Sequence, residues 1–373
     1  MQNGLLSIPT PALQGVAPPI GYPPTMARVA LLTPFAAPSV RGNAVTVGRI
    51  ARGLAERGLD VRVWDLSVTP APTIEAEVER YRPALVHAFH AWRTGPLARR
   101  IACRLRRPLV VTLTGTDANH DLVDATRSAE VLRVLDAAAI VTVFHESIAD
   151  GVRLAAPTLA SRLVMVPQSV RVEGGAPLNL AGLWPLPPGR ILFVLAGGIR
   201  PVKAPRRPLR ALDPVAARDA RIRLLYAGPI LDADESEALA RELAARPWAR
   251  YIGEVAAPQM PSLLTQADVV LNSSLSEGGM ANSILEALAL ERAVLVSDVQ
   301  GNRGLVREGV TGLTFADDAE LAAKAERLAG DGALRARLGR AGRQFIEREY
   351  PIAREIDGYL DVYGPLMTVH ASR

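Results

Sequence analysis

Short apolar runs of four to six residues recur along the chain, and the stretches between them place apolar residues three and four apart. Arg28–Thr33, Val61–Trp64, Ala84–His87, Leu109–Leu113, Ile140–Phe144 and Leu163–Val166 are runs of the first kind. Helical spacing fills the intervals, as in Thr73–Tyr81, Leu97–Leu105, Ala129–Asp136 and Ser147–Leu154. Apolar strands alternating with amphipathic helices predict βαβ units and a parallel sheet. The rhythm breaks over 171–189, where four prolines and four glycines predict a linker. It then resumes with strands at Ile191–Ala196, Arg223–Ala227, Tyr251-Ile252, Ala267–Leu271, Ala293–Ser297 and Thr314-Phe315, followed by helices over Ala319–Leu328 and Ala333–Tyr350. The pattern thus predicts two doubly wound, Rossmann-like α/β domains, over 26–170 and 190–345, and a terminal helical segment over 346–373. No repeat of 20–50 residues is present. Two such sheets make a cleft between them, with ligands at the carboxyl ends of the strands.

The length of 373 residues suits two cores. Residues 1–25, containing GVAPPIGYPP, lack the basic and apolar regions of a signal peptide and read as a disordered leader, or as sequence upstream of a start at Met26. A net charge of +5 favours anionic partners. Aromatic residues are only 5% and no compact Lys/Arg run occurs, which argues against nucleic acid. Charge alone leaves association with an anionic membrane surface open, but no apolar run is long enough to span a bilayer. The single cysteine, Cys103, permits no internal disulfide, so a reducing, cytoplasmic setting is expected, with the thiol buried and inert.

Candidate chemistry lies just after the strands. Arg41-Gly42-Asn43 follows the first, where Gly42 would let backbone approach a ligand or merely make a turn. His87 and His90 follow the third; one contacting substrate and both satisfied within the fold are equally open readings, and no partner set completes a metal site. Asp117, after the fourth strand, suits either proton transfer and hydroxyl binding or a helix cap. In Gly197-Gly198-Ile199-Arg200-Pro201-Val202-Lys203, exposed backbone and two cations suit a diphosphate leaving group, although the loop is not a Walker motif. The Asp232-Ala233-Asp234 pair is expected to open a helix rather than to bind metal. The remaining stretch, Leu271–Gly301, runs from a strand through a Ser/Gly turn into a helix, with Glu277 in the turn and Glu286 on the helix; free N–H groups around Gly279, Met280 and Ala281 make it an anion site.

Taken together, SEGGMANSILEALAL (Ser276–Leu290), GGIRPVK, YIGEV, GNRGLV and EGVTGLTF resemble the retaining family-4 glycosyltransferases of the GT-B fold, from about Arg28 to Leu360. RGNAVTVGRI, TGTDANHD and NSSLSEGG further resemble the subgroup of glycosyltransferase 1 domain-containing protein 1 and the bacterial selenosugar synthases. The resemblance implies an N-terminal acceptor domain, a C-terminal donor domain and a last helix that crosses back to the first domain. It implies a nucleotide-diphosphate sugar, UDP- or GDP-linked, as donor, no metal, and an acceptor it does not specify. Arg200 and Lys203 would hold the diphosphate, Gly279–Ala281 the distal phosphate, Glu286 the ribose, Glu277 the donor sugar and Ile252 the base. Asp117 and His90 would lie at the reacting centre, with Gly42 beside the acceptor. No protein nucleophile is implied. Two departures stand out: the glutamates are nine positions apart where the family has eight, and Thr116 stands where the family often has His. Gly278-Gly279 could absorb the extra residue as a bulge, or Glu277 could be displaced from the sugar. A selenosugar synthase, a nucleotide-sugar epimerase and a non-catalytic sugar-nucleotide binding protein are the alternatives.

Overall fold

A computed structural model describes residues 26–172, 175–277 and 279–371. The leader read at 1–25 and Gly278 of the expected bulge lie outside the described residues. Six strands form the first sheet: β1 (Arg28–Thr33), β2 (Asp60–Asp65), β3 (Leu85–Phe89), β4 (Leu109–Thr112), β5 (Ile140–Val143) and β6 (Leu163–Met165). Six more form the second: β7 (Ile191–Ala196), β8 (Ile222–Ala227), β9 (Ala249–Tyr251), β10 (Val269–Asn272), β11 (Ala293–Ser297) and β12 (Leu313–Phe315). The orders are β2-β1-β3-β4-β5-β6 and β12-β11-β10-β7-β8-β9, and every recorded pairing is parallel. These are two Rossmann-like sheets consistent with a GT-B fold.

Burial explains the composition of the strands. The inner strands β3, β4, β7, β10 and β11 are buried along their whole length, while the edge strands β2 and β6 are mostly half-buried. A sheet covered on both faces demands continuous apolar runs in its centre. Alternate residues serve opposite cores: Ala30 and Leu32 face one, Val29 and Leu31 the other. The second of these cores is closed by the helix Gly42–Glu56 and by the last helix, Ile352–Ala371, whose Ile356, Tyr359 and Tyr363 are buried there. The chain therefore returns to the first sheet after completing the second.

Three local features differ from the sequence expectation. Residues 171–189 carry a short helix, Leu180–Leu183, and bury Leu180 and Trp184 in the second sheet's core, so part of the Pro/Gly-rich stretch is packed. Cys103 is exposed, because the helix Gly95–Leu105 turns Leu97, Ala98, Ile101 and Ala102 inward and Cys103 falls on the opposite face. A π-helical turn occupies Asp117–Asp121, directly after β4, where such turns often accompany functional sites. Among the described residues, no helix is long and apolar enough to cross a membrane.

Candidate active site

In the second sheet the strand order reverses between β7 and β10, and the loops leaving these neighbours diverge to opposite sides, opening a crevice at their carboxyl ends. After β7, Gly197 and Gly228 touch backbone to backbone: a Cβ on Gly228, whose φ is +146°, would lie 2.2 Å from the Gly197 carbonyl oxygen. Arg200 is extended, and Pro201–Lys203 form one tight turn ended by Ala204 in the left-handed region. The loop after β10 is stitched to this turn. Leu275 N–H donates to the Val202 carbonyl at 2.8 Å, and Ser273 Oγ donates to the Lys203 carbonyl at 2.8 Å. Lys203 and Glu277 thus face each other across the switch point.

Their side chains form an ion pair between Lys203 Nζ and Glu277 Oε1. The same oxygen accepts from Asn272 Nδ2 at 2.9 Å and Ser274 Oγ at 2.6 Å. Burial alone would push the Glu277 carboxyl up, but Lys203 and these two donors outweigh it and hold the group below the usual carboxylate range. A further layer fixes the turn: Ser297 Oγ donates to the Ser274 carbonyl at 2.6 Å, and Asn302 Nδ2 donates to the Ser297 carbonyl at 2.9 Å. Gly301 allows this approach, since a Cβ there would lie 2.6 Å from Glu277 Cβ and 2.7 Å from the Gly279 carbonyl oxygen.

Glu286 stands differently. It is on the helix Asn282–Ala289, half-buried, and its carboxyl makes no hydrogen bond or ion pair among the described residues. Burial pushes its carboxyl up to about 7, against the opposing pull of Arg49. Met280 and Ala281 are buried just ahead of this helix, whose first turn has no side-chain cap, and the Ile284 and Leu285 N–H groups bond to the Ala281 carbonyl. Arg200 is half-buried, and its Nε is buried without a hydrogen-bond partner among the described residues. Burial lowers its guanidinium; Glu277 opposes this, and the like charges of Arg93 and Arg41 reinforce it.

The first sheet reverses between β1 and β3, and its loops meet the crevice from the other side. Gly42 opens a helix, and its carbonyl accepts from Asn282 Nδ2 at 3.1 Å; Gln168 Nε2 donates to Asn282 Oδ1 and, at 3.2 Å, to Thr46 Oγ1. The helix bearing Glu286 is therefore tied at its start to the first sheet. His90 is buried in the left-handed region at φ +83°, with its ring 3.9 Å from both Asp117 and Asp121. Asp117 is fully buried; Oδ1 accepts from Thr114 and Gly115 N–H at 2.9 Å and Oδ2 from Ala91 N–H at 2.7 Å. These bonds clamp the loop after β4 to the loop after β3. Ile252 follows β9, half-buried, with its N–H on the Tyr226 carbonyl at 3.0 Å.

His87 is satisfied within the fold. Nδ1 is 2.6 Å from Tyr363 Oη and Nε2 2.7 Å from Thr112 Oγ1, and burial pushes the imidazole down to about 3. Asp232 caps its helix by accepting from Glu235 N–H at 2.9 Å. No group of three or more His, Cys, Asp or Glu side chains among the described residues is placed to hold a metal. The crevice thus gathers Arg200, Lys203, Glu277 and Glu286, with Gly279, Met280 and Ala281 at the helix start. His90 and Asp117 stand together across it. Sequence reasoning missed the polar groups that hold these residues: Asn272, Ser274, Asn302, Gln168, Thr46 and Asn282. Asn272, Ser274 and Asn282 flank the acidic turn in the sequence, whereas Thr46, Gln168 and Asn302 carried no such mark.

Residues 190–331 match the family model described as glycosyl transferases group 1. Glycosyltransferase 1 domain-containing protein 1 of Xenopus tropicalis is 24% identical over 326 residues, covering 85% of this chain and 92% of that protein. Among solved structures, Anabaena HepE in complex with UDP and glucose superposes with a TM-score of 0.77 at 14% identity, over 91% of this chain and 100% of that one. Sucrose-phosphate synthase from Thermosynechococcus elongatus gives 0.76 at 17% identity, over 92% and 100%. The fold and the matched sequence together make the chain a GT-B-fold glycosyltransferase related to the family 1 and family 4 enzymes.

Proposed function

We propose that the chain transfers a glycosyl group from a nucleotide-diphosphate sugar, UDP- or GDP-linked, to an acceptor bound against the first sheet, with retention of anomeric configuration. The observation that carries this reading is the Lys203–Glu277 pair at the β7/β10 switch point, beside the unpaired Arg200 Nε and the unpaired Glu286. A diphosphate supplies the anion that Arg200 Nε lacks and shares Lys203 with Glu277, and its distal phosphate fits the free N–H groups around Gly279–Ala281. Ribose hydroxyls supply the donors that Glu286 lacks, and the base lies toward Ile252. Glu277, held ionised, stays beside the donor sugar. HepE, solved with UDP and glucose, shares the fold and supports this choice of ligand.

The chemistry is a substitution at the anomeric carbon. The bond from that carbon to the diphosphate oxygen breaks as the acceptor oxygen bonds to the same face. The acceptor's proton leaves with the nucleoside diphosphate, and Arg200 and Lys203 stabilise the charge that develops on it. His90 and Asp117 shape the acceptor side. Titration calorimetry with UDP, GDP and their sugars tests the donor assignment: binding weakened at least tenfold by Arg200→Ala and Lys203→Ala is expected, and no nucleotide binding at all would overturn it. NMR of the product's anomeric proton decides retention. Product analysis with selenophosphate as acceptor separates a selenosugar synthase from transfer to a hydroxyl, and an epimerised free donor would identify an epimerase.

A further inference from the structure

The acceptor side of the crevice carries charge that the donor reading does not use. Arg41, at the end of the loop after β1, places its guanidinium carbon 3.9 Å from the centre of the Phe35 ring. Arg93, from the loop after β3, lies 5.8 Å from the same ring centre. The two cations therefore converge on one aromatic side chain although they come from different strands. These are the two strands between which the first sheet's order reverses. Among the described residues neither guanidinium has a carboxylate within ion-pairing distance, whereas most arginines of this chain have one. Across the crevice their charges reach Arg200, which they help to lower.

The charges of Arg41 and Arg93 oppose the cation at Arg200, whose counter-charge is Glu277, so the empty protein carries an unfavourable repulsion there. Surface arginines remove such cost by turning toward solvent or a carboxylate. Here Arg41 is half-buried on the Phe35 face, and Arg93, exposed, lies over the same ring. An anion held by both would offset this repulsion. The donor diphosphate already has Arg200, Lys203 and a helix start on the second sheet.

We propose that Arg41 and Arg93, braced on Phe35, form an acceptor subsite for a phosphoryl group, so that the natural acceptor is a small phosphorylated molecule. A tetrahedral dianion fits two converging forks and offsets both charges, whereas a carboxylate offsets one. This rests on the donor assignment above. It also answers a physical requirement of that assignment: an anionic acceptor approaching an anionic donor needs cations on its own side, and Arg41 and Arg93 supply two.

The test uses the full chain saturated with the nucleoside diphosphate it binds, so that the donor phosphate site is filled. Inorganic phosphate is titrated in by calorimetry, and glucose 6-phosphate is compared with glucose and glucuronate as acceptors. Expected are saturable phosphate binding and a preference of at least tenfold for the phosphorylated sugar. Arg41→Gln and Arg93→Gln should each reduce both by at least tenfold and leave nucleotide affinity within twofold, which also shows that the variants fold. Arg41→Lys, which keeps the charge and loses the fork, should fall between. A nucleotide affinity that drops in step with phosphate affinity would overturn the proposal by assigning both arginines to the donor. Equal use of glucose, or a preference for glucuronate, would overturn it as well. If wild type binds no nucleotide, the donor reading fails instead. Phosphate binding to the free protein, lost in Arg41→Gln but kept in Lys203→Ala, then still upholds the subsite, and the reverse pattern refutes it.

Discussion

At the scale of single residues the site assigns its two glutamates opposite electrostatic situations. Glu277 is surrounded by donors and stays charged; Glu286 has none and is pushed up to about 7. A carboxyl raised in the folded state, relative to about 4.5 in the unfolded chain, makes folding less favourable as pH rises between those values. Glu286→Gln should therefore gain stability relative to wild type between pH 4.5 and 7, read by denaturant melts across that range. Ligand hydroxyls donate to the ionised form. Nucleotide affinity of the wild type should thus strengthen as pH rises through about 7 and that of Glu286→Gln should stay flat, a contrast that calorimetry at pH 6 and 8 resolves. Gly301 offers a second check. A methyl group there must displace the backbone of the Glu277 turn, so Gly301→Ala is expected to reduce turnover more than tenfold while the circular dichroism spectrum is unchanged.

At the scale of elements, strands were more legible than loops. A buried parallel strand writes itself as a run of apolar residues, and β1, β7 and β11 fall where the runs at Arg28–Thr33, Ile191–Ala196 and Ala293–Ser297 predict them. The acidic turn and the basic loop were legible for a similar reason: strand ends in a doubly wound sheet point at ligands. What could not be read is which loop residues touch each other. Asn302 supports a turn about 25 residues before it in the chain, and Gln168 reaches Asn282 from the other half. Neither contact leaves a periodic trace. Asp117 was ambiguous from its spacing alone, and the three backbone N–H bonds it accepts, which hold two loops together, left no trace in that spacing. The last helix shows a similar gap: its docking is fixed by the buried pair Arg49 Nε–Glu355 Oε2 at 2.8 Å and Nη2–Oε1 at 2.9 Å. Removing one member of such a pair strands a buried charge, so Glu355→Ala should cost about 3–5 kcal/mol in urea unfolding. His87, neutral and buried under the same helix, adds acid sensitivity. Its depressed pKa means stability is lost as pH falls from 6.5 toward about 3, and His87→Asn should shift the acid midpoint downward.

On the scale of the whole molecule, the two sheets meet through a small number of polar contacts. Asn282 bonds to Gly42, and Gln300 Nε2 donates to the Ser147 carbonyl at 3.4 Å. A Cβ on Gly304 would lie 2.3 Å from His145 Nε2, so the halves are closely fitted there as well. An interface of this polar kind favours rigid-body motion about the connecting segments. Asn282→Ala should release the helix that bears Glu286 from the first sheet. Small-angle scattering is expected to show a larger radius of gyration for this variant without nucleotide, and the same value as wild type with saturating nucleotide.

The return of the last helix to the first sheet makes the order of the chain differ from the order of its folding units. Segment 352–371 follows the second sheet in the chain, yet its Ile356, Tyr359 and Tyr363 fill a trough in the sheet that precedes it. A nascent or truncated chain ending before Ile352 exposes that trough to water and becomes a target for chaperones or proteases. The same feature allows the protein to be split. A fragment spanning 26–170 should aggregate alone and be rescued by a separate peptide spanning 352–371, with the ion pair between Arg49 and Glu355 marking correct reassembly. Fragment complementation would thus show that the unit built on the first sheet is assembled from two segments separated by the whole of the second sheet.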